Sequence, residues 1–177
     1  NNIYNILSAL SVMSIYLDIS NLNRNIFLNF KTPYGRGDIS ILNVNNKKIN
    51  LIDESYNSNP LSLKSALVNY DKINSKKAKK FLLLGDMLEL GNHTKKLHQS
   101  IVPIINKTNI DKVYVKGKNV SKIFNKISKL KKGKILNTKL QIIELIKNGL
   151  NNRDYLMIKA SNATGFNKII KEFKVLN

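Results

Sequence analysis

From Ile39 onward the chain alternates short apolar runs with stretches of helical spacing, and this alternation restricts the fold more than any other feature. Antiparallel neighbours need only a tight turn between them, whereas parallel neighbours need a crossover long enough to hold a helix. Ile39–Val44 and Lys48–Asp53, separated by Asn45, Asn46 and Lys47, have the pattern of a hairpin. After it the spacing predicts a helix over Leu61–Ile73 behind Pro60, then a buried strand over Phe81–Leu84 ended by Gly85 and Asp86. A helix over Lys95–Asn106, a strand over Lys112–Val115 closed by Gly117, and a helix over Val120–Leu130 follow. A weak strand at Ile135 and Leu136, a helix over Lys139–Leu150, a strand over Tyr155–Ile158 and a last helix over Phe166–Val175 complete the series. The predicted class is α/β: a doubly wound, Rossmann-like, mostly parallel sheet with an N-terminal hairpin.

The stretch before the hairpin has another character. Asn1–Tyr16 has helical spacing, Asn21–Phe30 is expected to form a second short helix, and KTPYGRGD (Lys31–Asp38) carries the proline and glycine punctuation of a linker. The expected organisation is a helical remnant of a preceding domain over residues 1–34, a linker over 35–38, and the main domain over 39–177. A chain of 177 residues accommodates one domain with a real core and such a remnant. Its first residue is Asn1, and its first helix starts without a preceding strand, so a longer parent protein is expected. No apolar run reaches the roughly 20 residues of a membrane span, and the opening helix lacks a signal-peptide pattern, so a soluble chain in the cytoplasm with no membrane partner is expected. The absence of cysteine excludes disulfides, thiolate metal sites and thiol nucleophiles within these residues.

The net charge is +19, from 30 basic and 11 acidic residues, and invites a nucleic-acid reading. Only Arg24, Arg36 and Arg153 are arginines, however, while Lys, Asn and Ile are abundant throughout, the bias of an AT-rich genome. Lys76, Lys77, Lys79 and Lys80, like Lys129, Lys131, Lys132 and Lys134, fall between elements and read as solvated turns. No aromatic residues alternate with them to form a stacking platform, so no nucleic-acid partner is expected. A general attraction to anionic ligands, nucleotides included, remains.

Ligands of such sheets bind beyond the carboxyl ends of the strands, which singles out the loops after Ile52, Leu84, Val115 and Ile158. After Ile52 come Asp53, Glu54, Ser55, Tyr56, Asn57, Ser58, Asn59 and Pro60. Adjacent carboxylates followed by amides could hold ribose hydroxyls, a metal-bound phosphate shell or a substrate amine, while Asn59 could equally cap a helix. Asp86 and Glu89 after the next strand could face a cation or an amine, or could serve a turn and a cap. Lys159 and Ser161 close the last strand, where a lysine is most often surface charge.

Taken together these strings resemble one family. DESYNSNP followed by LSLKSAL is similar to the D-D/E-S-Y-N-A-N-P segment of the Mur ligase family, in its branch that adds D-alanyl-D-alanine. LLLGDMLELG resembles the family's L-G-D-M-x-E-L-G stretch, with His98 where a histidine usually follows, and Lys159-Ala160-Ser161-Asn162 resembles a K-G-S-R or K-G-S-N element. Ala160 stands there for the usual glycine, a change expected to restrict the backbone. Asn1-Asn2-Ile3-Tyr4-Asn5 before ILSALSV resembles the family's H-N-x-x-N-A-L-A-A helix start, with Asn1 in place of the histidine, and Gly35-Arg36-Gly37 matches the G-R element of its interdomain linker. Branches that add glutamate or diaminopimelate carry a D-Y-A-H-x-P type loop, and the latter also D-N-P-R. Neither string occurs here.

The resemblance implies an ATP-dependent ligase that forms an acyl phosphate on a UDP-N-acetylmuramoyl-tripeptide and lets the amine of D-alanyl-D-alanine attack it. It implies ATP contacts from Asn2 and Asn5 to adenine, from Arg36 to phosphates, and from Glu54, shared with Asp53, to ribose. Tyr56, Asn57, Asn59, Asp86, His98, Lys159 and Ser161 would face the dipeptide. Mg2+ would be held mainly by a central domain, because no G-x-x-G-K-[ST] phosphate loop occurs in these residues. The helical remnant would be the end of that ATPase domain. No catalytic residue is assigned to this chain, which is expected to be a monomer, to close on its partner domain with ATP, and to be inactive alone. Other readings are the C-terminal domain of another Mur-type or folylpolyglutamate ligase, or a non-catalytic basic domain that binds nucleic acid.

Overall fold

The structure is a computed structural model that describes residues 2–23, 25–29, 33–75 and 77–175, and it falls into two compact units, residues 1–31 and 32–177. Asn1, Arg24, Phe30 and Lys76 lie outside the described residues, as does the side chain of Asn2.

In the first unit α1 spans Asn2–Met13 and is followed by a single 3-10 turn, Ile19–Asn21. Among the described residues the second helix expected over Asn21–Phe30 is not formed, and residues 25–29 make turns. Short polar side chains explain the difference. Asp18 accepts from the Ser20 amide at 3.0 Å, the Ser20 hydroxyl at 2.6 Å and Asn21 Nδ2 at 3.0 Å, and Asn23 accepts from the Asn25 amide at 2.8 Å. Such bonds offer the backbone a local alternative to the helical ladder.

The second unit holds a six-stranded sheet: β1 (Asp38–Val44), β2 (Lys47–Glu54), β3 (Lys80–Gly85), β4 (Lys112–Lys116), β5 (Lys132–Ile135) and β6 (Tyr155–Lys159), in the order β1-β2-β6-β3-β4-β5. Among the described residues only the β1–β2 pair is antiparallel. Asn45 and Asn46 join them with φ of 47° and 61°. A two-residue hairpin turn with both residues left-handed matches the strand twist, and asparagine tolerates that region.

Side chains alternate across this sheet and feed two cores. Ile52, Leu82, Leu84, Val113, Val115 and Met157 pack on one face, which α2 (Pro60–Lys72), α3 (Thr94–Ser100), α4 (Val102–Lys107) and α5 (Lys118–Phe124) cover with residues such as Leu63, Leu67, Ile105 and Ile123. Leu51, Phe81, Leu83, Leu156 and Ile158 pack on the other, under α6 (Lys139–Glu144), the π turn Leu145–Gly149 and α7 (Phe166–Val175). Every residue of β3 is buried, as its unbroken apolar run requires of a central strand. The helix expected over Lys95–Asn106 is divided because Pro103 has no amide hydrogen to give to the preceding turn; α4 restarts with it in its first turn.

Several lysines read as solvated turns have structural work. Lys80 is 4% exposed; its ammonium donates to the Asp71 carbonyl at 2.9 Å and lies 5.8 Å from the Tyr70 ring. Lys131 donates to the carbonyls of Thr108 and Ile110, and Lys132 to that of Asn125. Long apolar stems let these cations cover the core and end on loop carbonyls.

The chain moves outward from β2 to β5 with its helices on one face, then returns through α6 on the other face to insert β6 between β2 and β3. Loops leaving β2 and β6 therefore diverge to opposite faces, and the crevice between their carboxyl ends is the switch point where such folds hold ligands.

Two glycines beside that crevice test how tightly its floor is built. Gly117 has φ +147°, and a Cβ there would lie 2.5 Å from the Asp86 carboxyl carbon, whereas Gly91, at φ +52°, has nothing within 4 Å. Gly117→Ala is expected to destabilise the chain by about 2 kcal/mol or more, against about 1 kcal/mol for Gly91→Ala, read from denaturant midpoints.

Candidate functional site

At the carboxyl edge Glu54 of β2 and Lys159 of β6 stand opposite each other in the strand register. The Lys159 ammonium is 3.2 Å from Glu54 Oε2 and donates to the Asn57 carbonyl at 2.6 Å. Lys159 is 1% exposed, while the Glu54 side chain retains 23%. Burial pushes the lysine below its ordinary value, and the carboxylate beside it acts in the opposite sense. This cation is no surface charge. It holds the start of the 54–59 loop to β6.

A second contact builds a cationic platform. Gly37 donates its amide to the Asp53 carbonyl at 2.9 Å, and Tyr56 donates to the Gly35 carbonyl at 3.0 Å, so the Gly35–Gly37 segment lies against the loop. A Cβ on Gly35 would meet the Tyr56 amide nitrogen at 2.8 Å, which is why glycine is required there, with φ +75°. The result sets the Arg36 guanidinium 4.3 Å from the centre of the Tyr56 ring. No ion pair among the described residues involves Arg36, which leaves its planar fork open to an anion.

Ser161 joins three loops. Its hydroxyl accepts from the Leu88 amide at 3.0 Å and donates to the Ser58 carbonyl at 3.4 Å, and its amide donates to the Asp86 carbonyl at 3.3 Å. Asp86 accepts from the amides of Asn119 at 3.0 Å and Val120 at 2.8 Å, capping α5. His98 is 1% exposed; its Nδ1 faces the Thr94 carbonyl at 2.7 Å and its Nε2 accepts from the Met87 amide at 3.1 Å. A carbonyl only accepts, so Nδ1 carries the hydrogen and the ring is the neutral tautomer. The 4.0 Å approach of Asp86 to Nε2 is then a neighbour contact. Asp86 and His98 thus spend these atoms on holding the 86–90 loop.

The remaining sequence candidates divide in the same way. Asp53 is 4% exposed and turned inward, accepting from the Ser55 amide at 3.1 Å and hydroxyl at 2.6 Å. Asn59 caps α2 in a reciprocal pair with Ser62. Tyr56 and Asn57 are exposed. Asn5 is exposed on α1, in the other unit. Ala160 keeps an ordinary backbone, and its methyl fills space that Gly85 leaves: a Cβ at Gly85 would lie 2.6 Å from it. Sequence reading missed Ser58, which is 1% exposed with a hydroxyl that has no partner, at the position where the resembled motif has alanine. That substitution within an otherwise matching octet was the available signal. Among the described residues no three carboxylate or imidazole groups are placed to hold a metal ion.

Lys159 gives a pH test. Its folded value is depressed, so the unfolded chain holds more protons in the window just below lysine's ordinary 10.5. Stability contributed by this group therefore rises with pH through that window and is lost as pH falls through the folded value. Burial raises the hydroxyls of Tyr70 and the half-buried Tyr114, which act in the opposite sense in both proteins, so the test is the difference. Across the alkaline range the wild type should gain stability relative to Lys159→Met as pH rises, and equal slopes would remove Lys159 as its source.

Comparison with known proteins places this geometry in a family. Residues 41–162 match the family described as Mur ligase, glutamate ligase domain. The chain is 31% identical over 144 residues to the UDP-N-acetylmuramoyl-tripeptide–D-alanyl-D-alanine ligase of Rickettsia prowazekii, covering 79% of this chain and 30% of that protein. It is 28% identical over 127 residues to the enzyme of the same name from Bacillus subtilis, covering 70% and 28%. The chain thus spans less than a third of the length of these relatives. Among solved structures it resembles the MurF ligase of Thermotoga maritima in complex with ADP, with a TM-score of 0.66, 24% identity, and coverage of 97% of this chain and 37% of that one. A MurF structure from Acinetobacter baumannii gives a TM-score of 0.72 at 18% identity, with the same coverage. These structural likenesses show the fold, and the family match, which takes in well over half of the residues, shows that the chain belongs to the Mur ligase family.

Proposed function

We propose that this chain is the C-terminal part of an ATP-dependent ligase that joins D-alanyl-D-alanine to a UDP-N-acetylmuramoyl-tripeptide in the synthesis of peptidoglycan precursors. The observation that carries the reading is the Arg36 fork, held over Tyr56 without a carboxylate partner among the described residues, beside the Glu54–Lys159 pair at the sheet's switch point. The relatives named above for this reaction support it.

ATP would supply the phosphoryl group that activates the tripeptide carboxylate. Arg36 would hold phosphate oxygens through its paired donors, which suit that geometry better than an ammonium does. Glu54, fixed through one oxygen by Lys159, would offer the other to ribose hydroxyls, with Asp53 shaping the turn beneath it. The exposed Tyr56 and Asn57 would meet the dipeptide. Lys159, Ser161, Asp86, His98 and Asn59 would set the loops that carry these groups. Ligands for Mg2+, and the contacts of Asn2 and Asn5 with adenine, would be completed by the central domain of the longer protein.

The reading frame upstream of the Asn1 codon tests the proposal first. Continuation into a G-K-[ST] phosphate loop supports it, and an immediate start codon overturns it. In the protein expressed from a complete frame, Arg36→Ala should lower kcat/KM for ATP by about tenfold to a hundredfold, the effect of a lost charge-assisted bond. Unchanged kinetics would remove Arg36 from the site. Asn57→Ala should impair use of the dipeptide more than use of ATP, and equal effects on both would sink that division of labour.

A further inference from the structure

The loop between α2 and β3, the amino ends of β2 and β6, and the turn after Leu150 line an open cavity of about 810 Å³. Asn50 and Tyr155, which line it, pair at the beginning of the β2–β6 register, whereas Glu54 and Lys159 pair at its end. At about 3.3 Å per residue the cavity lies on the order of 13 Å from that pair, at the opposite edge of the sheet. It takes no part in the function proposed above.

Most of the charged residues in its lining are cationic. Lys48, Lys77, Lys79 and Arg153, all of them exposed, line it together with one carboxylate residue, Asp154. Asp154 is 3% exposed, and its two oxygens accept from the amides of Lys79 at 2.9 Å and Asn151 at 2.8 Å. None of the four cations takes part in an ion pair among the described residues. Arg153 also holds φ +69°, a region that suits glycine or asparagine, although Asn151 and Asn152 are its neighbours in the same turn. An arginine kept in a strained turn at the rim of a cation-lined cavity is the kind of outlier that motivates a functional reading. Lys77 and Lys79 come from the lysine run that the ligase function leaves unused.

We propose that this cavity binds a small, multiply charged phosphate-bearing anion, with Arg153 as its paired-donor phosphate ligand and Lys48, Lys77 and Lys79 as supporting charges. The volume suits a small molecule, and Ile41, Ala78 and Tyr155 contribute apolar surface to the lining.

The probe is tripolyphosphate, titrated calorimetrically into the purified chain. Arg36→Ala removes the other candidate phosphate contact, so the binding that persists in that variant reports the cavity whether or not the ligase reading holds. Arg153→Gly keeps the left-handed turn while removing the charge, and is expected to weaken binding about tenfold or more with an unchanged or higher melting temperature. Should that variant fold poorly, the double change Lys48→Gln and Lys79→Gln reads the same site and is expected to weaken binding to a similar degree. No binding to the wild type, or binding that survives these changes, would overturn the proposal. So would equal weakening by a distant change such as Lys95→Gln, which marks diffuse attraction, or preference for a random oligonucleotide, which marks an extended nucleic-acid surface.

Discussion

The arrangement of the carboxyl edge depends on one buried cation. An ammonium at 1% exposure persists only with partners, and Lys159 finds a carboxylate on β2 and a carbonyl in the loop that follows it. Those partners are 105 and 102 residues away in sequence, so the bond exists only after β6 has entered the sheet between β2 and β3. Leaving Glu54 and Lys159 unpaired would strand one charge in a half-dry crevice, and this couples the geometry of the site to completion of the sheet.

Around that pair the polar groups serve two kinds of work. Ser161, Asp86 and His98 satisfy backbone amides of the loop after β3 and of the start of α5, and Ser161 also donates to the Ser58 carbonyl, which fixes where those segments lie. Arg36, Tyr56 and Asn57 stand on the loops so fixed and face outward. A rigid set of inner bonds beneath exposed polar groups is what precise placement of a ligand requires, since loosely held contacts forfeit most of their binding energy to ordering. Gly35, Gly85 and Gly117 belong to the same construction, because at each of them a Cβ would collide with a residue of the crevice.

Much of the fold was legible in the chain because its signals are local. The apolar run FLLL marked a central strand, the Asn45–Asn46 pair marked the hairpin turn, and the spacing of Phe166–Val175 marked the last helix with its observed bounds. Failures came where a local competitor was overlooked: Pro103 divided one helix, and side-chain bonds of Asp18 and Asn23 replaced another with turns. The lysine run misled for a different reason. Composition shows that lysines are many, but not that the Lys80 ammonium lies 5.8 Å from the centre of the Tyr70 ring.

The sequence by itself determined the alternating pattern, hence a parallel sheet with helices on both faces, and it supplied the motif strings that single out the loops after β2, β3 and β6. Residue types and their spacing suffice for that, because period and turn chemistry act over a few neighbours. Only the tertiary structure decided which polar groups face outward and which are consumed inside. His98 and Asp86 are alike candidates for chemistry in the sequence, yet their hydrogen bonds go mainly to backbone groups. Arg36 is one of three arginines until Tyr56 comes beneath it. Hydrogen-bond capacity is finite, and where it is spent depends on strands brought together from distant parts of the chain.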